Sequence, residues 1–284
     1  MEWINKSRVL IVGLGLMGGS YAKALKRLGY HVYAIDRNME SIKYALDNNI
    51  IDKGSDIPDE KLLQEADTII FGLYPAIITD WIRDNQKFFK SGIIITDVTG
   101  IKGKIVYEIQ DILREDIEFI AAHPMAGREL SGVKNADESI FRGANYIVVP
   151  TDKNSAEAIE WCKNLGQILG FSNVSVLSPD EHDSMIAYVS QLTHCIAVSL
   201  MTCRDNHKLA DYTGDSFRDL TRIARINEDM WTELFFMNKE KLLTEMDLFI
   251  EELQSLRNYI ENGDADRLKN KMRLSTQRRK NFDK

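Results

Sequence analysis

The chain has 284 residues, enough for two domains and a sizeable core. Its formal charge of −7 argues against a general nucleic-acid binder, and its 3 cysteines, with no CxxC pair, argue against a disulfide framework. The opening MEWINKSR has no apolar signal core and no uninterrupted apolar run reaches membrane-span length, so the sequence predicts a cytoplasmic protein without a membrane or nucleic-acid partner.

Residues 9–12 are a short apolar run of the kind that forms a buried parallel strand. The run ends in Gly13-Leu14-Gly15-Leu16-Met17-Gly18. Ala22, Leu25 and Leu28 then recur at helical spacing up to Gly29, and a second strand, His31–Ile35, ends in Asp36. Gly13 permits a tight turn, Gly15 lets a pyrophosphate approach the backbone, and Gly18 lets the helix pack close to the sheet. The helix N-terminus offers free N–H groups to phosphates. Asp36 is placed to accept hydrogen bonds from the adenosine ribose of NAD and to repel the extra phosphate of NADP; Arg37 beside it softens that preference. A lone GxGxxG is weak evidence, but flanked by strand, helix, strand and acid it is strong. The candidate cofactor is NAD, and the candidate contacts are Gly13, Leu14, Gly15, Leu16, Met17, Gly18, Asp36, Arg37, Leu73 and Tyr74.

Further along, residues 39–49 read as a helix closed by a turn at 52–54. Residues 67–74 read as a strand ended by Pro75, 76–89 as a helix, and 93–95 as a strand leading into a corner at 96–103. A helix at 105–113, strands at 117–121 and 145–149, a helix at 155–169 and a last strand at 174–177 follow. The alternation predicts an α/β fold, a Rossmann-type doubly wound parallel sheet. At Ser178-Pro179-Asp180 the pattern changes to helices over 181–203, 228–261 and 264–279. The expected domains are therefore 1–178, binding NAD, and 179–284, an all-α domain. The apolar face of the long middle helix predicts burial and a homodimer, with a monomeric bundle as the alternative. The basic last turns suit the helix C-terminal dipole and solvent; docking of an acidic partner is the other reading.

Hydride transfer needs a proton acceptor, and histidine suits that near neutral pH. His123 is expected at the C-terminal end of a parallel strand, where open α/β sheets place ligands, and is the catalytic candidate. His31 reads as structural; His182 and His207 read as surface residues. Ser190 and His194 are four apart and share a helical face. That face either closes over a ligand or forms part of a helix interface. Asp219, Arg218 and Arg222 also share a face, as a carboxylate clamp or as a surface ion-pair ladder.

Four stretches, GLGLMGGS, TDVTGIKG, AAHPMAGRELSGV and FRDLTRIA followed by Trp231, together resemble the prephenate dehydrogenase family, with its arogenate-using relatives. The resemblance covers almost the whole chain in order, and HPMAGxExSG is its most specific piece. It implies NAD-dependent oxidative decarboxylation of prephenate in tyrosine synthesis, with His123 accepting the ring-hydroxyl proton. It implies that Arg222 anchors a substrate carboxylate, that Glu129, Ser190 and His194 line the substrate pocket, that Asp219 supports the arginine and that Trp231 shapes the pocket. It implies a helical dimerisation domain and an active site between the domains. The sequence departs from the family pattern at three places. The serine that assists the histidine in many relatives falls on Gly100, where Thr99 is the nearest substitute; Gln191 replaces a histidine; and Asp215-Ser216 replace glycines. Arogenate dehydrogenation remains an alternative, as does an NAD-sensing regulator of the same fold.

Overall fold

The computed structural model describes residues 3, 7–128, 130–205 and 208–282. The chain opens as β1 (Arg8–Val12), α1 (Leu16–Arg27), β2 (His31–Ile35), α2 (Met39–Asp47), β3 (Lys53–Ser55), α3 (Glu60–Glu65), β4 (Thr68–Phe71) and α4 (Pro75–Asn85). It continues as β5 (Ile94–Asp97), α5 (Gly103–Ile112), β6 (Glu118–Phe119), β7 (Ala121–Met125), β8 (Asn145–Val149), α6 (Ala156–Leu169) and β9 (Asn173–Val176). Among the described residues, six strands pair in the order β3-β2-β1-β4-β5-β6, all parallel. That order reverses between β1 and β4, the crevice in which doubly wound sheets bind dinucleotides.

The strands are apolar on both faces because helices cover both. Val9 and Ile11 of β1 pack with Tyr21, Leu25, Trp161 and Leu165 of α1 and α6. Leu10 and Val12 pack with Leu63, Ile78, Ile82 and Ile109 of α3, α4 and α5. Each fully buried Leu or Ile contributes roughly 1.5–3 kcal/mol, whereas surface ion pairs such as Lys53–Glu65 add little. The two apolar layers hold the sheet.

The parallel sheet is as expected, with one correction. β7 leaves it and pairs antiparallel with β8, which pairs parallel with β9 in a separate three-stranded sheet. His123 therefore lies opposite Ile147 on an antiparallel strand, just past the end of the parallel one. The 52–54 turn also contains the short strand β3.

After Ser178 come α7 (Pro179–Ile186), a π-helical segment Ala187–Leu192, α8 (Thr193–Thr202), α9 (Asp215–Thr221) and α10 (Glu228–Met237). Ser178 and Glu181 form a complete capping box, and Pro179 fills the first turn. By length and composition alone the helical stretch Pro179–Thr202 is long and apolar enough to cross a membrane, although Ser184, Ser190, Gln191, Thr193 and His194 interrupt it, so it is no uninterrupted apolar run. Asp180, Glu181, His182 and Asp183 stand at its start, and Ile186, Ala187 and Leu192 are buried in the fold.

The chain divides into two compact units, Met1–Asn238 and Lys239–Lys284. In the second, α11 (Lys239–Glu261) and α12 (Ala265–Arg279) pack on each other, with Lys271 bridging to Glu252 at 2.7 Å. The helix expected over 228–261 is thus interrupted at Asn238, whose buried side chain donates to Asp183 O and Gln191 Oε1.

Candidate active site

The glycine corner forms as the sequence predicts. Gly13 adopts φ +97° and donates its N–H to Ile35 O. A Cβ on Gly13 would lie 2.6 Å from the Gly72 carbonyl oxygen, and one on Gly18 only 1.9 Å from the Gly13 oxygen. Those glycines let the β1–α1 turn, the end of β4 and α1 close on one another. Gly15 is different: nothing lies within 4 Å of a Cβ there. Gly15 is also the N-cap of α1, and no side chain caps that end. The open face and the first N–H groups of α1 fit a pyrophosphate.

Asp36 is fixed beside this corner. Its Oδ2 accepts Leu14 N–H at 2.6 Å and its Oδ1 accepts Asn38 N–H at 2.8 Å. Each oxygen keeps further acceptor capacity, which fits ribose hydroxyls. Leu14 is buried, Leu16, Met17 and Leu73 are half-buried, and Arg37 is exposed. Tyr74, also exposed, is the N-cap of α4.

The second half of the site surrounds His123, a half-buried residue of β7. Its Nδ1 lies 2.9 Å from His182 Nε2, and His182 Nδ1 lies 2.7 Å from Asp183 Oδ1. Burial, first, and then the neighbouring His182 and the Lys102 ammonium hold His123 well below the ordinary histidine range. Burial also lowers His182, against the pull of Asp183. His182 is fully buried, which corrects its reading as a surface residue. Its place in the first helical turn suggested solvent, but that turn packs on α5.

Below His123 runs a buried ionic network that motif reading did not assign. Lys102 Nζ donates to Asp97 Oδ2 at 2.5 Å and to Thr99 Oγ1 at 3.1 Å, and Thr99 Oγ1 also bonds Asp97. The other Asp97 oxygen accepts Ala122 N–H, next to His123, at 3.1 Å. Burial lowers Lys102, and the Asp97 carboxylate offsets part of that. The Thr99 hydroxyl thus belongs to the Asp97–Lys102 pair, with its remaining hydrogen bond directed to Ile101 O. Gly100 instead presents bare backbone to the histidine. A Cβ there would find Leu234 at 3.7 Å and His123 Cε1 at 3.9 Å, both ordinary contacts.

Leu234 connects His123 to the helical residues. Gln191 donates to Leu234 O at 2.8 Å from the π-helical segment, so this departure from the family pattern is a buried structural amide. Three residues before Leu234, Trp231 stacks on His194 with ring centroids 3.7 Å apart. His194 Nδ1 donates to Ser190 O at 2.9 Å. Glu233, also on α10, accepts Ala76 N–H at 2.5 Å at the start of α4. Asp219 and Arg222 are exposed, and the turn Arg222–Ala224 packs on α8, which carries His194. Glu129 and His207 lie outside the described residues.

The structure therefore brings His123, Gly100, Leu234, Trp231, His194 and Ser190 into one continuous set. Asp97, Lys102, His182, Asp183, Glu233 and Asn238 were missed as supports. The adjacent His-Asp in the first turn of a helix was the available signal for one pair of them.

Comparison with known proteins adds the following. Residues 21–188 match the prephenate dehydrogenase nucleotide-binding domain, and residues 178–274 match the prephenate dehydrogenase dimerization domain. The prephenate dehydrogenase of Bacillus subtilis is 32% identical over 270 residues, 93% of this chain and 72% of that protein. The cyclohexadienyl dehydrogenase of Zymomonas mobilis is 26% identical over 92% of this chain and 90% of its own. A crystal structure of A. aeolicus prephenate dehydrogenase, in complex with hydroxyphenyl propionate and NAD+, superposes with a TM-score of 0.89 at 30% identity, covering 99% of this chain and 100% of that one.

Proposed function

This chain belongs to the prephenate dehydrogenase family, and on that premise we propose that it converts prephenate to 4-hydroxyphenylpyruvate by NAD-dependent oxidative decarboxylation, in tyrosine biosynthesis. The observation that carries the reading is the placement of His123: one ring nitrogen is engaged, its charged form is disfavoured, and it stands beside the helical residues that close the site. A neutral histidine with a free nitrogen is what proton abstraction from a hydroxyl needs.

The pyrophosphate would lie over Gly15 and the N-terminus of α1, with Asp36 accepting from the ribose. The chemistry a bound NAD+ supplies is acceptance of the hydride. His123 takes the proton from the ring hydroxyl at Nε2. Arg222 and His194 hold substrate carboxylate groups, Ser190 and Trp231 shape the pocket, and Asp219 orients Arg222. Glu129 joins them on its motif position alone.

We place the functional boundary at 178, where β9 has ended and the capping box starts α7. The active form is a homodimer, built through exposed apolar side chains of the helical part. Tyr212 and Phe236 in the first unit and Leu253 and Ile260 in the second support this, as does the dimerization-domain match. A cytoplasmic location accords with three free thiols, Cys162, Cys195 and Cys203. The test is NADH formation by the purified protein with prephenate or arogenate, and with NAD+ or NADP+. Turnover of prephenate with NAD+ is expected; turnover of arogenate alone, or of neither, would overturn the assignment.

A further inference from the structure

The mechanism above leaves a fully buried histidine and a nearly buried aspartate in line behind His123. Burying such groups costs several kcal/mol per charge unless their hydrogen bonds are met. Here every polar atom of the pair is engaged. Asp183 Oδ1 accepts from His182 Nδ1 and from Lys102 N–H at 2.9 Å, and Oδ2 accepts Gly103 N–H at 2.7 Å, at the first turn of α5. The Asp183 carbonyl accepts the Asn238 amide. The aspartate is thus clamped from α5 and from Asn238 and has no freedom to turn away from His182.

The bond directions follow from that clamp. A carboxylate only accepts, so His182 carries its proton on Nδ1. Neutral His182 then has a bare Nε2, which can only accept. His123 Nδ1, 2.9 Å away, must donate to it. A neutral His123 protonated on Nδ1 has a bare Nε2, the nitrogen a base needs.

We infer that His182 and Asp183 are positioning residues that fix His123 as the tautomer with its lone pair on Nε2, and that they share the charge when His123 takes up a proton; the inference rests on the reading of His123 as the base. Neither touches the substrate in this scheme. Each acts through His123, as a carboxylate orients the imidazole in a hydrolytic triad.

The test uses the full-length protein. Histidine-selective 15N labelling, with the His123 signals assigned by their loss in His123→Asn, should show His123 protonated on Nδ1. A wild-type signal from Nε2 protonation would overturn the proposal without any further variant. Asp183→Asn puts a donor where only acceptors fit, and His182→Phe removes the acceptor from His123. Both should mix the His123 tautomers and lower kcat by roughly 10²–10⁴-fold, the range of a general base, with KM for prephenate and NAD+ within about threefold. His182→Gln, which restores an acceptor and leaves the α5 contacts of Asp183 intact, should regain at least about tenfold over His182→Phe. A purely structural role would leave the tautomer unchanged in the folded variants, or raise KM at constant kcat, and either result overturns the proposal. If His123→Asn turns over near normally, the base assignment itself falls. If His123→Asn is slow while His182→Phe is near normal, only the positioning role falls.

Discussion

In the proposed mechanism His123 is the base, and the fold discourages its charged form through burial, the neighbouring His182 and the nearby Lys102 ammonium. Its folded pKa lies well below 6.5, so it stays neutral and competent at neutral pH and is lost as a base only on stronger acidification. We expect kcat/KM for prephenate to hold level from pH 8 down through 6.5 and to fall only below that. An acid limb centred at or above the ordinary histidine value would contradict the burial argument. Gly100 gives a second expectation at this scale. Its missing Cβ has room, with Leu234 at 3.7 Å and His123 Cε1 at 3.9 Å. Gly100→Ser should fold with Tm within about 2 °C of wild type, under 1 kcal/mol for a domain of this size, and should raise kcat by setting beside His123 a hydroxyl that can hydrogen-bond the ring hydroxyl of the substrate. A lowered kcat would show that the bare backbone is required there. The place of His123 was partly legible in the sequence: a parallel strand ends just before it at Phe119, but the antiparallel strand Ala121–Met125 that carries it was not foreseen. His182 was not: a histidine in the first turn of a helix ordinarily faces water, and only the packing of α7 on α5 buries it.

The elements that carry these residues are tied by buried polar groups. Lys102, at the entry to α5, pairs with Asp97 at the end of β5, and both are almost fully buried. Removing one partner of such a pair is far more costly than losing a surface ion pair. Lys102→Met should destabilise the fold by about 3–5 kcal/mol, read from urea unfolding. It should also move the acid limb of kcat/KM upward, because a cation near His123 is gone. A loss under about 1 kcal/mol would place the pair in the class of surface bridges. The parallel strands and most helices were legible from apolar runs and glycine punctuation. The direction of β7 was not, because a short apolar strand carries no mark of whether its neighbour runs parallel or antiparallel. The break at Asn238 was also hidden: the apolar pattern continues through it, and the side chain's role depends on Asp183 and Gln191, each more than forty positions away.

Across the whole molecule, the proposed function gives the parallel sheet the dinucleotide and the helical part the substrate-facing residues and an apolar surface. Tyr212 and Phe236, and separately Leu253 and Ile260, are large exposed apolar side chains that the proposed homodimer would cover. Light scattering should therefore return twice the 32.5 kDa chain mass; a monomer at micromolar concentration would contradict the homodimer. We propose that this fold serves one proton acceptor, His123, in the oxidation of prephenate. The most direct measurement compares NADH formation from prephenate by the wild-type chain and by His123→Asn, with NAD+ affinity measured in parallel. For His123→Asn we expect a kcat lower by roughly 10²–10⁴-fold with NAD+ affinity nearly unchanged. A variant that turns over prephenate at the wild-type rate would contradict it.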